Sequence, residues 1–163
     1  MNLKGDFRDV MKEIPTSVSI LLVRDREEIK GCTISSLVSV DISSENPHVM
    51  FVLRKDSGTG ESIQSGRDFS INLLNQNQIH IANLFANKFS GIKIDTTVLD
   101  LEGSKALPQI TDCNIRLICN LVEVNNKYVS VIYICRVKEI LINKTIKPLI
   151  YWNRNFCEIS NPK

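Results

Sequence analysis

Four hydroxyls, Thr33, Ser35, Ser36 and Ser39, fall within an otherwise apolar run, CTISSLVSV. In an extended chain Thr33 and Ser35 share one side and Ser36 faces the other. A line of neutral hydroxyls and backbone amides suits the rim of a flat heterocycle whose edge alternates donors and acceptors, such as a flavin. The same spacing also fits a solvent face of alternating polarity. A second candidate is Leu53 to Thr59 (LRKDSGT), a strand end followed by a glycine-containing turn and a helix start. The Ser57 and Thr59 hydroxyls, with the amides of that turn, are suited to cradle a phosphate, and Lys55 adds a positive charge. An ordinary helix start with Ser57 or Thr59 as N-cap reads equally well from these residues.

Other chemistries lack their residues. Gly58-Thr59-Gly60 begins like a dinucleotide fingerprint, but Ile63 stands where the third glycine belongs. Asp56-Ser57-Gly58-Thr59 resembles the active-site turn of aspartic proteases, yet Arg54 and Lys55 would pair or solvate a carboxylate that chemistry needs buried. The chain has no G-x-x-x-x-G-K, H-E-x-x-H or G-x-S-x-G segment. Two histidines, His48 and His80, are too few to suggest a zinc site, so no protein-bound metal is expected. Five cysteines without a C-x-x-C pair read as reduced, mostly buried thiols of a cytoplasmic protein.

The elements that must position these residues are mostly strands. Leu3, Phe7, Val10, Met11 and Ile14 recur at helical spacing ahead of Pro15. Strands are expected at Ser17–Arg24, Ile29–Asp41, His48–Arg54, Phe69–Leu74, Ile115–Val124, Tyr128–Ile142 and Leu149–Trp152. Short helices are expected at Glu61–Gln64, closed by Gly66, and at Gln76–Ala86 behind an Asn75 cap. Asn125-Asn126 marks a hairpin turn. The stretch from Asn87 to Asp112 is irregular. Strands with short helices between hairpins favour an antiparallel barrel over a parallel α/β sheet, although periodicity alone does not separate barrel from sandwich.

Composition is ordinary for one globular domain spanning residues 1–163, with 43% hydrophobic and 23% charged residues. A net charge of +2 with interspersed signs gives no electrostatic case for nucleic acid or a membrane surface. Asp6 and Asp9 sit where a signal peptide would be apolar.

Five segments in order resemble the flavin reductase family of two-component monooxygenases: FRDVM to PTSVSILLV, GCTISSLVSVD, NPHVMFVLRKDSGTGESIQSGRDFSINLL, IANLFANKFSGI, and LPQITDCNIRLICNLVEV to LIYWNRNF. The resemblance implies a mainly β fold, a split β-barrel of Greek-key type with short helices inserted between strands, working as a homodimer. It places the flavin edge on Thr33, Ile34, Ser35 and Ser36. It places the phosphate loop on Val52, Leu53, Arg54, Lys55, Asp56, Ser57, Gly58 and Thr59, and further contacts on Ala86 and Lys88. The cofactor implied is FMN or FAD, reduced by NADH or NADPH and handed to a flavin-dependent oxygenase partner.

Three departures from the family pattern stand out. Gly58 occupies a place often held by arginine, the loop before Lys88 is shortened, and Ser130 stands where a late-hairpin histidine usually helps seat the nicotinamide. Ser130, Lys127, Tyr151 and Arg154 are the candidate nicotinamide contacts. The expected activity is NAD(P)H:flavin oxidoreductase. The alternatives are a flavin-binding redox protein or carrier without nicotinamide turnover, and a flavin-free module of the same fold.

Overall fold

Leu21 and Val23 alternate with Ile20 and Leu22 in a strand whose two faces are both apolar, so it must run through the middle of the molecule. A computed structural model describes residues 2–42, 45–86, 96–101, 107–143 and 146–160. In chain order the elements are α1 (Leu3–Lys12), β1 (Thr16–Ser17), β2 (Ser19–Asp25), β3 (Glu28–Ile34), β4 (Val38–Asp41), β5 (His48–Arg54), α2 (Gly58–Gln64) and β6 (Phe69–Leu73). A 3-10 turn at Gln76–Gln78 leads into α3 (Ile79–Ala86), followed by β7 (Leu99–Asp100), β8 (Gln109–Ile110), β9 (Ile115–Asn125), β10 (Ser130–Ile142), β11 (Ile150–Trp152) and β12 (Asn155–Cys157).

Seven strands form one antiparallel sheet in the order β3-β2-β6-β9-β10-β5-β4. Strand β5 lies beside β10 while its chain continues through α2 to β6 on the far side of β9, which is the Greek-key arrangement. The expected strand at Ile29–Asp41 is two strands, β3 and β4, at opposite edges of this sheet. The chain leaves β3 at Ser35, and Ser36 bonds the far side of the barrel. Its Oγ accepts from Val52 N at 2.9 Å and donates to Val52 O at 3.2 Å. A hydroxyl thus stands in for ladder bonds at the seam where the sheet curls onto itself.

Side-chain alternation then sorts the core. Leu21, Phe51, Phe69, Ile71, Val131, Tyr133 and Cys135 fill the barrel, with Phe51 stacked on Tyr133 at 5.3 Å and edge-on to Phe69 at 6.0 Å. Val18, Ile20 and Leu22 point outward into a second core with Ile81, Ala82 and Phe85 of α3. Gly31 permits that packing. A Cβ there would lie 2.8 Å from Leu21 O and 2.9 Å from a Phe85 ring carbon. Cys113, Cys119 and Cys135 are buried and free, and burial pushes the Cys135 thiol up to about 12.

The Asn125-Asn126 signal falls at the β9–β10 hairpin, whose ladder begins at the Asn125–Ile132 pair. Two further expectations are corrected. The Gln76–Ala86 helix opens with a 3-10 turn, where Asn75 and Gln78 form a reciprocal capping box. The last strand is a hairpin, β11 with β12, turned by Asn153 and Arg154 at φ 47° and 63°. Both central residues with positive φ define the primed turn that matches strand twist. Among the described residues no helix is long and apolar enough to cross a membrane.

Candidate active site

Four pieces of chain converge outside the barrel on a cleft of about 360 Å³. The end of β3 delivers Thr33 and Ile34, with Ser35 just beyond; α3 delivers Asn83 and Ala86; the terminal hairpin delivers Tyr151, Arg154 and Phe156; and Val18 lies at the junction of β1 and β2. The volume falls in the range of small-molecule sites, and the lining combines apolar surface and neutral polar groups with one cation, Arg154. Among the described residues no carboxylate, histidine or thiol lines it. Such a wall can hold, orient and dehydrate a ring system but supplies no neutral-pH acid, base or nucleophile.

Each wall is set by local bonds. The Thr33 hydroxyl donates to Ala82 O at 2.7 Å, tying β3 to α3 and leaving its oxygen free to accept. Tyr151 and Phe156 pack edge-on at 5.5 Å across the hairpin. The hairpin pairs with β1, Thr16 opposite Tyr151, and is also tied to α1: Asn153 N donates to Lys12 O at 2.9 Å, and Trp152 Nε1 donates to Glu13 O at 3.0 Å. Arg154 approaches Asp9 at 3.7 Å, an exposed pair that contributes little.

The phosphate-loop candidates lie on β5 and the start of α2, outside the cleft lining and joined to it through the Ser36–Val52 bonds. Strand alternation turns Leu53 into the barrel core and leaves Val52 and Arg54 outside. Arg54 makes a bidentate pair with Asp56, both contacts at 3.1 Å, so this carboxylate is neutralised at the surface. Ser57 is the N-cap of α2, accepting from Gly60 N at 3.2 Å, and its hydroxyl proton stays available to a ligand. Thr59 is buried, and Lys55 and Gly58 are exposed. Nothing lies within 4 Å of a Cβ built on Gly58, so the space a longer residue would use is open.

The structure brings together Thr33, Ile34, Ser35, Ala86, Tyr151 and Arg154. Ser130 pairs with Arg54 in the β5–β10 ladder, and neither it nor Lys127 lines the cleft. Lys88 lies outside the described residues. Val18, Asn83 and Phe156 line the cleft without having been singled out from sequence. Asn83 is exposed on α3, as His80 is, and Phe156 follows the turn, but neither signal points to a ligand without the neighbouring wall.

Residues 11–160 match the family model described as flavin reductase like domain. The chain belongs to that family. It is 23% identical over 159 residues to an FMN reductase (NADH) RutF from Acinetobacter baylyi, covering 93% of this chain and 80% of the relative. It is 26% identical over 153 residues to the reductase component of a 4-nitrophenol 4-monooxygenase/4-nitrocatechol 2-monooxygenase from Rhodococcus opacus, covering 94% and 80%. The NADH:FAD oxidoreductase SgcE6 of Streptomyces globisporus, solved with NAD and FAD fragments, superimposes with a TM-score of 0.86 at 22% identity, covering 96% of this chain and 93% of that one. At that identity the likeness establishes the fold. The family's mainly β architecture is the one the sequence led us to expect.

Proposed function

We propose that this protein is an NAD(P)H-dependent flavin reductase that binds FMN or FAD and supplies reduced flavin to an oxygenase partner. The observation that carries the reading is the cleft, where the end of β3, the end of α3 and the terminal hairpin form one largely apolar wall edged by hydroxyls and Arg154. Family membership supplies the reaction class. A flavin held there would supply the redox chemistry by taking a hydride from a nicotinamide, so the lining residues need only bind, orient and exclude water.

The backbone and hydroxyls of Thr33 to Ser36 hold the polar edge of the ring, and Val18 and Ile34 shield it from water. Ser57, Gly58, Thr59 and Lys55 hold the flavin phosphate, and Ala86 and Lys88 are the further flavin contacts the family resemblance implies. Tyr151 and Phe156 give an apolar face for the nicotinamide, and Arg154 meets a phosphate of its nucleotide. Ser130 and Lys127, near Arg54, offer a second and more distant hold. A homodimer accounts for α1, which has no buried residue and leaves Leu3, Phe7 and Val10 more than half exposed.

Steady-state oxidation of NADH and of NADPH, each with FMN, FAD and riboflavin, tests this reading. Turnover that depends on added flavin is expected. Tight flavin binding without nucleotide oxidation would overturn it, and sedimentation in the same buffer reads the dimer.

A further inference from the structure

Helix α2 follows the phosphate loop directly, so whatever places α2 also places Ser57, Gly58 and Thr59. It is only two turns long and is seated from two sides. On one side Gly60 lies so close to Tyr133 that a Cβ would come within 2.4 Å of its hydroxyl, and Gln64 Nε2 donates to that hydroxyl at 3.1 Å. On the other side stands Asp25, at the end of β2. Its Oδ2 accepts from Ser62 Oγ at 2.7 Å and from Lys30 Nζ at 2.9 Å, and its Oδ1 lies 3.4 Å from Arg67 Nη1. Arg67 also donates to Arg24 O at 3.0 Å, holding the chain just after α2 to the same strand end.

We propose that Asp25 is a positioning residue for the flavin phosphate, fixing α2 through Ser62 so that the loop before it presents its hydroxyls and amides in a set place. The inference rests on the phosphate-loop reading given above.

Apolar burial alone would not do this. Ile63 is fully buried and sets the rotation of α2, but apolar contact is tolerant of sliding, whereas a short charge-assisted hydrogen bond is directional. Ser62 is 3% exposed, so its hydroxyl has little access to water if Asp25 lets go. Lys30 and Arg67 keep Asp25 ionised; the bonds from Lys30 and Ser62 hold its carboxyl down to about 2. Among the described residues, Asp25 is the carboxylate bonded to α2 from another element. It serves as an acceptor with no proton of its own to lose.

The test is FMN and riboflavin binding to Asp25→Asn and Ser62→Ala, read by quenching of flavin fluorescence, with Ser57→Ala as a parallel variant. Misplacement by a fraction of an ångström is expected to weaken FMN by about tenfold or more. Riboflavin, which lacks the phosphate, should stay within about twofold of wild type on the same reasoning. A role in stability alone would lower the midpoint of unfolding and leave the FMN-to-riboflavin ratio where it was. That result, with Ser57→Ala still selective for FMN, overturns the positioning role and leaves the loop reading standing. If Ser57→Ala weakens both flavins equally, the loop reading falls and this inference falls with it. Should Asp25→Asn fail to fold, Ser62→Ala, which keeps the carboxylate and its cations, decides the matter.

Discussion

The two ends of the proposed site are built in opposite ways. Helix α2 is short but buries Thr59, Gly60, Ser62 and Ile63 and is bonded to β2 and β10. The terminal hairpin is exposed at Tyr151, Trp152 and Arg154; it pairs with the two-residue strand β1 and is bonded to α1, which buries nothing. One wall is part of the barrel; the other is a short three-stranded sheet at its edge, braced by a helix whose apolar side lies open. A phosphate loop gains affinity from preorganisation, because ordering costs are met by folding rather than by binding. A wall that must admit and release a nucleotide in each turnover gains from being less firmly held.

The largest expected effect is on the rigid side. Gly60→Ala drives a methyl into the Tyr133 hydroxyl, and Tyr133 is 1% exposed and stacked on Phe51, so it has nowhere to retreat. A loss of about 2–3 kcal/mol in urea unfolding is expected. A cost like that of a surface substitution would mean α2 is seated loosely, and the contrast would fail.

Next in size is Arg154→Gly. An arginine at φ 63° strains the turn, and glycine relieves that strain while adding freedom to the unfolded chain. Stability should be unchanged or rise by up to about 1 kcal/mol on those terms. Loss of the guanidinium should raise the nucleotide KM by about tenfold with flavin affinity unchanged, as for a lost charged hydrogen bond. A lower stability with unaltered KM would show that Arg154 serves the turn and not the nucleotide.

Trp152→Phe should act more gently. It removes the bond to Glu13 O that ties the hairpin to α1, at about 0.5–1.5 kcal/mol. Nucleotide KM is expected to move more than flavin affinity. Equal movement of both would mean that hairpin and barrel are one rigid unit.

The smallest effect is in acid. Asp25 has a folded value of about 2 against an ordinary 3.8, so its contribution is present above the ordinary value and is lost as pH falls toward 2. Between pH 4 and 2 wild type should lose stability faster than Asp25→Asn, measured as the slope of the unfolding midpoint against pH. Parallel slopes would show that the Lys30, Ser62 and Arg67 contacts do not hold in solution.

Much of the barrel was readable before any coordinate. The apolar, branched run within Tyr128–Ile142 reads as a strand, and Leu3, Phe7, Val10 and Met11 recur as a helix face must. The seam was not readable. Ile29 to Asp41 mixes apolar residues with hydroxyls at strand-like spacing, and nothing in its period marks that Ser35 to Leu37 breaks a strand in two. The closing hairpin escaped for a related reason: its turn takes positive φ at Asn153 and Arg154, without the glycine that normally announces one. For the site, hydroxyl-rich segments stood out by type, but Asn83 and Phe156 are ordinary residues until a neighbour faces them.

Chain chemistry by itself determined the list of candidates and the strand-rich pattern, because these depend on residue type and short-range period. Only the tertiary structure decided that Ser36 closes the barrel, that Arg54 neutralises Asp56, and that Tyr151 and Arg154 face Thr33 and Ser35 while Ser130 does not. Those pairings join residues far apart in sequence, and closure of such loops is set by how the whole sheet curls and packs, which no local stretch encodes.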